Sequence, residues 1–418
     1  MKVQLYISRH ISLKGGRRNR RPPSVWIAVV SIALAVVVLE LTLAVVAGFR
    51  SEIIRKISGF EPDISVLPAY DYQLGGTESV LEITAGLEDI INESLPGVTV
   101  VKEFRFPAVL KTEGDFSAII LRGYGQGHDF GFERDNVVKG QWPDMLSSES
   151  PNRIVVSAMT ARELGLDVGD KVDAYFFVDG NIKARRPEVA AIYESNFGEN
   201  DKLTAYAPVA WLQKVAGVDS MTVTSLGIRE GIPNDGISEK AGALQQRLVD
   251  AARTGVLDKI YVVDNITHTG AVYYSWLDLL DTNVVVIFIL MACVAGFTLV
   301  ASLFILILER VRTIGLLRAM GMSVRQVRDV FVMLAMRLVA AGLLIGNIFG
   351  LGIIFAQRYW NFIPLNPEMY YLSSVPVEVS WWQIAILNAA ILVVSWAVMV
   401  IPAQMVSTVT PSQTMRYD

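Results

Sequence analysis

Four long apolar runs interrupt an otherwise mixed chain: Val25–Phe49, Val284–Leu308, Val330–Phe355 and Ile384–Ile401. A helix needs about 20 apolar residues to cross roughly 30 Å of hydrocarbon, so each run predicts a membrane span. Between the first two runs the pattern changes. Asp63–Leu67 alternates as a strand does, Val80–Leu95 has helical spacing, and Val98–Phe106 alternates again after Pro96-Gly97. The order recurs in Thr222–Ile228, Ile237–Ala252 and Lys259–Val263. Two such units can share one antiparallel sheet, a ferredoxin-like arrangement. Between them Ile154–Val156, Lys171–Phe177 and Glu188–Tyr193 read as short strands among glycines and prolines.

The predicted fold is therefore an α+β membrane protein with four transmembrane helices and a large exoplasmic domain. Its segments are a basic terminus (1–24), the first span (25–49) and the exoplasmic domain (50–283). That domain would comprise porter halves 60–118 and 209–269 around a β-rich insertion, 119–208. The second span (284–308), a linking segment (309–329), the third span (330–355), a loop (356–383), the fourth span (384–401) and a tail (402–418) complete the chain. Arg50–Ile57 and Gly270–Asn283 keep helical patterns, so both neighbouring spans are expected to project beyond the membrane.

Charge orients this arrangement. Met1–Arg21 carries Lys2, Arg9, Lys14, Arg17, Arg18, Arg20 and Arg21 without one acid, and such termini stay in the cytoplasm. Segment 309–329 is arginine-rich, whereas Gln357–Trp382 holds only Arg358 and is flanked by Tyr359, Trp360, Trp381 and Trp382, residues of the outer interface. Both termini are thus predicted cytoplasmic. A hydrophobic content of 52% and a mean hydropathy of +0.41 exclude an ordinary soluble protein. Cys293 is the only cysteine, so no intrachain disulfide can form. No Gly-Lys dipeptide occurs, which rules out a phosphate-cradling GxxxxGK[ST] loop, and His10, His128 and His268 are too dispersed to share a metal with Cys293. An enzyme is not expected, nor is any cofactor bound by this chain.

The segment Ile307–Phe331 combines Arg310, Arg312, Arg318, Arg325 and Arg328 with Ile314, Leu317 and Met320 near helical spacing. It predicts a short amphipathic helix on the inner surface, ended by Gly321, with Ser323 capping the helix that follows. The run Glu309-Arg310-x-Arg312-x-Ile314-Gly315-x-Leu317-Arg318-Ala319-x-Gly321, followed by Arg325-Gln326-Val327, resembles the coupling segment of ABC-transporter permeases of the FtsX/MacB (type VII) family. Further landmarks are similar to the lipoprotein-releasing permeases of that family. They include Ala47-Gly48-Phe49-Arg50, Gly59-Phe60-Glu61-Pro62-Asp63, Leu164-Gly165-Leu166, Tyr370-Tyr371-Leu372 and Pro411-Ser412.

The resemblance implies a subunit that docks on ABC ATPase subunits through those coupling residues, with ATP and magnesium held by the partner. It implies a place in a bacterial inner (cytoplasmic) membrane, pairing with a second permease, identical or paralogous, and extraction of lipoprotein or lipid cargo toward a periplasmic carrier by mechanotransmission. The alternatives are an FtsX-like signalling permease controlling a periplasmic cell-wall hydrolase and a MacB-like efflux permease. No nucleic-acid partner is implied. Two departures stand out: only Val178–Pro187 occupies the position of the carrier-recruiting hook, and Glu40 replaces an apolar residue in the first span.

A cavity for acyl chains is expected where the outer halves of the first two spans meet. Leu43, Val46, Phe49 and Ile53 would line it from one side, Val284, Ile287, Phe288 and Met291 from the other. A bare carboxylate in the membrane is costly, so Glu40 is expected to be uncharged or hydrogen-bonded into the bundle, for instance by Ser395, with a headgroup or subunit contact as its functional use.

Overall fold

The computed structural model describes residues 23–69, 80–147, 152–178, 180–229, 236–309 and 311–403. The chain forms two compact units, one of Met1–Ser51, Leu277–Pro364 and Ser374–Asp418, the other of Glu52–Trp276 and Leu365–Ser373.

The first unit is helical. Pro23–Phe60, Ala271–Glu309, Val324–Trp360 and Trp381–Ala403 each hold a stretch long and apolar enough to cross a membrane. The first two helices continue past their apolar runs, to Phe60 and from Ala271, as their sequence patterns predict. Glycine fixes how the first and third spans meet. Ile32, Val36 and Glu40, four residues apart, lie over Gly342, Gly346 and Gly350, also four apart. A Cβ on Gly342 would come within 2.8 Å of Ile32 and one on Gly346 within 2.6 Å of Val36, so only glycine lets the helices approach this closely. The third and fourth spans are joined by reciprocal amide hydrogen bonds: Asn347 donates to Asn388 at 2.8 Å and Asn388 to Asn347 at 2.9 Å.

The second unit is built on one sheet. Its thirteen strands among the described residues are β1 (Ile64–Pro68), β2 (Leu81–Glu82), β3 (Thr99–Lys111), β4 (Phe116–Tyr124), β5 (Val137–Gly140), β6 (Arg153–Ser157), β7 (Asp173–Val178), β8 (Asn181–Arg185), β9 (Glu188–Tyr193), β10 (Thr204–Tyr206), β11 (Thr222–Val223), β12 (Ser225–Arg229) and β13 (Tyr261–Asn265). The main sheet runs β13-β1-β12-β3-β4-β10-β6-β9-β5, and β2 pairs with β11 separately. Along its first four strands each runs antiparallel to its neighbour. Helix Ala85–Ser94 connects β1 toward β3, helix Ile237–Arg253 connects β12 to β13, and the two helices lie side by side.

Strand β3 explains why the insertion is not a separate sheet. Its first residues, Thr99–Glu103, pair with β12, while Val109–Lys111 pair with β4 on one edge and β7 on the other. A thirteen-residue strand thus carries the sheet from one lobe into the next.

Four sequence expectations change here. The insertion boundary at 119 falls inside β4, and that at 208 cuts off helix Val209–Ala216, whose Leu212 and Val215 are buried in the insertion core with Leu121, Val156 and Phe176. Helix 80–95 shortens to Ala85–Ser94, because Leu81 and Ile83 alternate as strand residues and are both buried. The join at 178–187 contains a strand of its own: β8 folds back on β7 through Gly180, at φ +75°.

A buried ion network sits where the first long helix enters the sheet. Arg105 contacts Glu61 at 2.6 Å and Glu103 at 2.9 Å; Arg122 contacts Glu61 at 3.0 Å and Glu103 at 2.6 Å. The Ser225 hydroxyl donates to Glu103 at 3.0 Å. Burial alone would raise the Glu103 carboxyl, but Arg105 and Arg122 outweigh it and hold the group well below the usual carboxylate range. Glu61 is lowered against the same burial by the same two guanidiniums.

Candidate functional site

The linking segment between the second and third spans is a nine-residue helix, Val311–Ala319. Its end has a defined chemistry. Met322 N–H bonds to the Leu317 carbonyl at 3.1 Å and Gly321 N–H to the Arg318 carbonyl at 3.0 Å, with Gly321 at φ +95°. This is the paired closure that a left-handed residue makes at a helix C-terminus, and glycine takes that conformation without a Cβ clash. The next helix starts at once. The Ser323 hydroxyl accepts from Gln326 N–H, and the Gln326 side chain accepts from Ser323 N–H at 2.9 Å, a complete capping box. The break between the two helices is therefore closed by hydrogen-bonded caps on both sides.

The face this helix offers differs from the expected one. Ile314 and Leu317 are 0% and 7% exposed and pack with Ile307, Val327 and Phe331, so they anchor the helix to its own bundle. Leu316 and Met320, at 62% and 73%, are the outward apolar residues. Gly315 is buried, Arg318 is half-buried, and Glu309, Ala319, Gly321 and Arg325 are exposed. Arg310 lies outside the described residues, as does the side chain of Arg312. The expected stripe of Ile314, Leu317 and Met320 splits: Ile314 and Leu317 turn inward because they meet residues of the third span that lie further along the chain, while Met320 faces outward with Leu316.

A small apolar pocket, with about 30 Å³ of room for a water-sized sphere, lies among the first, second and fourth spans. Ile32, Ala35, Val36 and Leu39 line it from the first, Phe288, Met291, Ala292, Ala295, Gly296 and Leu299 from the second, and Ile391, Val394, Ser395 and Val398 from the fourth. Of the expected residues only Phe288 and Met291 take part. Leu43 and Val46 stand on the face that carries Leu39 but one and two turns away, toward the Phe49 end; Phe49, Val284 and Ile287 are also off the cavity. Ile53 is fully buried in the other unit. Space opens where Ala35, Ala292, Ala295 and Gly296 face one another, and that run of small residues was the signal in the sequence.

Glu40 is 1% exposed and does not line the cavity. Its carboxylate lies over Gly350, where any Cβ would collide with it, and neither oxygen has a hydrogen-bond partner among the described residues. The expected bond from Ser395 is not formed: Ser395 faces the cavity with Leu39, and Glu40, one residue on, is turned about 100° around the helix toward the third span. Among the described residues no group of three or more histidine, cysteine, aspartate or glutamate side chains could hold a metal.

Four helices long and apolar enough to cross a membrane, a capped connector between the second and third, and a sheet domain in the chain between the first and second fit a polytopic membrane protein. Its family follows from comparison. The FtsX-like permease C-terminal model matches residues 285–411, and the MacB-like periplasmic core domain model matches residues 25–240. The chain belongs to the FtsX/MacB family of ABC-transporter permeases. It is 23% identical to the lipoprotein-releasing system transmembrane protein LolC of Xylella fastidiosa strain 9a5c, with 97% of each chain covered. It is 22% identical to LolC of Neisseria meningitidis serogroup B over 94% of each, and 22% identical to LolE of Haemophilus influenzae over 92% of each. Among solved structures it is similar to the extracellular domain of the ABC-type transporter YknZ (TM-score 0.33, 15% identity, 49% of this chain and 99% of that one). The periplasmic region of MacB from Actinobacillus actinomycetemcomitans also matches (TM-score 0.33, 13% identity, 52% and 95%).

Proposed function

We propose that this chain is the permease of a lipoprotein-releasing ABC system in a bacterial inner membrane, driven by ATP hydrolysis on a separate ATPase. The observation that carries this reading is the capped helix Val311–Ala319, which presents Leu316, Met320 and nearby Arg325 between two spans of a chain that holds no phosphate-binding loop. A rigid, outward-facing connector of this kind transmits force from a docked motor, because its caps and its buried Ile314 and Leu317 prevent it from yielding. ATP and magnesium belong to that motor. Near-complete alignment with proteins named for lipoprotein release supports the cargo class. In this reading both termini are cytoplasmic, the four strands β13-β1-β12-β3 are a ferredoxin-like porter sheet in the periplasm, and a second permease completes the pair.

The test is purification of the full chain with its ATPase. Leu316→Asp combined with Arg325→Glu is expected to abolish co-purification while the spans stay folded by circular dichroism. Lipid-anchored protein is expected to co-purify with the unaltered complex. Retained ATPase association in the double variant would refute the docking face, and a cell-wall hydrolase in place of lipoprotein would refute the cargo.

A further inference from the structure

The sheet domain includes a piece of chain that sequence order assigns to the membrane half. Leu365–Ser373, from the loop between the third and fourth spans, belongs to the same compact unit as Glu52–Trp276. Its seat is built around Lys56, on the extension of the first long helix beyond the apolar run.

The Lys56 ammonium is buried, at 7% exposure, and donates to main-chain carbonyls: to Ser195, to Asn196 at 3.4 Å and to Tyr371 at 2.7 Å. The neighbouring Asp201 carboxylate is engaged elsewhere, accepting from the Ser195 N–H at 3.1 Å, the Ser195 hydroxyl at 2.5 Å and the Phe197 N–H at 3.3 Å, which fixes the loop that supplies two of the three carbonyls. Aromatic rings close the seat. Phe197 stacks on Tyr273 with centroids 4.9 Å apart and meets Tyr371 edge-on at 5.5 Å. Gly198 leaves room for Tyr371, since a Cβ there would lie 2.8 Å from its ring. Asn196 and Tyr371 both adopt left-handed backbone, φ +56° and +59°, which costs a non-glycine residue about 1 kcal/mol or more. Two strained residues and a buried cation are costly features for a loop that had only to connect two helices.

We infer that Lys56 is the joint through which displacement of the third and fourth spans reaches the sheet domain. This rests on the mechanical reading above and adds a route beside the two helices that enter the domain directly. The ends of Leu365–Ser373 are covalently continuous with the membrane unit at Pro364 and Ser374. When those ends move, the segment must either leave Lys56 or take the first helix extension and the 195–198 loop with it. Charge-assisted hydrogen bonds, each worth roughly 1.5–3 kcal/mol, favour the second course.

The test uses the full chain in lipid nanodiscs, alone and with its ATPase. Lys56→Met keeps length and removes the donor. Hydrogen exchange at the Tyr370 and Tyr371 amides, which bond to Asn366 and Pro367, is expected to rise about tenfold or more, the equivalent of one such bond. Exchange in the spans should not change. In the assembled complex Lys56→Met is expected to hydrolyse ATP at an undiminished rate yet lose both the ATP-driven exchange change at residues 195–198 and release of lipid-anchored protein. Gly198→Ala, which displaces Tyr371 without altering the lysine, should reproduce this if Lys56→Met folds poorly. Unchanged exchange at 370–371 in both variants would overturn the clamp, and retention of the ATP-driven change at 195–198 would overturn the joint. If the unaltered complex releases no lipid-anchored protein, the cargo reading fails while the exchange measurements still decide the joint.

Discussion

The two units bury polar side chains by opposite means. In the sheet domain Glu103 and Arg122 are buried beside the partly exposed Glu61 and Arg105, each acid within 3.0 Å of both bases, and Lys56 is given three carbonyls. In the helical unit Glu40 is buried over a glycine with no hydrogen-bond partner among the described residues, while neutral amides satisfy one another or the main chain, as in the Asn347–Asn388 pair and in buried Gln357, which donates to the Val375 carbonyl and accepts from the Ile363 N–H. The difference follows from surroundings. A domain folding in water must compensate every ion it buries, since an unpaired one costs several kcal/mol. Between membrane helices little is gained by hiding apolar surface from lipid, so close backbone approach and a few neutral hydrogen bonds set the packing.

Substitutions can sharpen or break this contrast. The largest effect is expected in the sheet domain, where Arg122→Met leaves buried Glu103 and partly exposed Glu61 sharing one guanidinium, Arg105. It should cost about 3–5 kcal/mol, read from denaturant unfolding of the full-length protein followed by tryptophan fluorescence. A loss below about 1 kcal/mol would mean the network is hydrated and not buried. Gly346→Leu, which drives a side chain into Val36, should cost about 1–3 kcal/mol in detergent unfolding and separate the first and third spans. Neutral behaviour there would remove the glycine groove from the account. The smallest effect is expected for Asn388→Leu, about 0.6–1.7 kcal/mol in the same assay, because an amide pair in a membrane finds alternative partners when the helices part.

Much of the architecture could be read from the chain because it depends on local pattern. Span number follows from four apolar runs. The strand, helix, strand order of 63–106 and 222–263 follows from alternation giving way to helical spacing. The caps at Gly321 and Ser323 follow from backbone chemistry that needs only a few adjacent residues. The misses share a different origin. The pocket falls one turn or more along the first helix from Leu43 and Val46, since its level depends on Ala35 meeting Ala292, Ala295 and Gly296 on another helix. Leu316, and not Leu317, points outward because Leu317 found Val327 and Phe331. Lys56 looked like an ordinary charge on a helix extension, and nothing near it announces that Ser195 and Tyr371 will turn their carbonyls toward it.

The sequence by itself determined which segments are spans, strands and caps, and it carried the family likeness, because hydrophobic periodicity and capping act over one or two turns of chain. The tertiary structure alone decided which faces are outward, at what depth the cavity opens, and that the loop between the last two spans is held by the base of the sheet domain. Those outcomes turn on contacts between residues as far apart as Lys56 and Tyr371. No local preference encodes such a contact: it exists only once the whole chain has chosen what to bury.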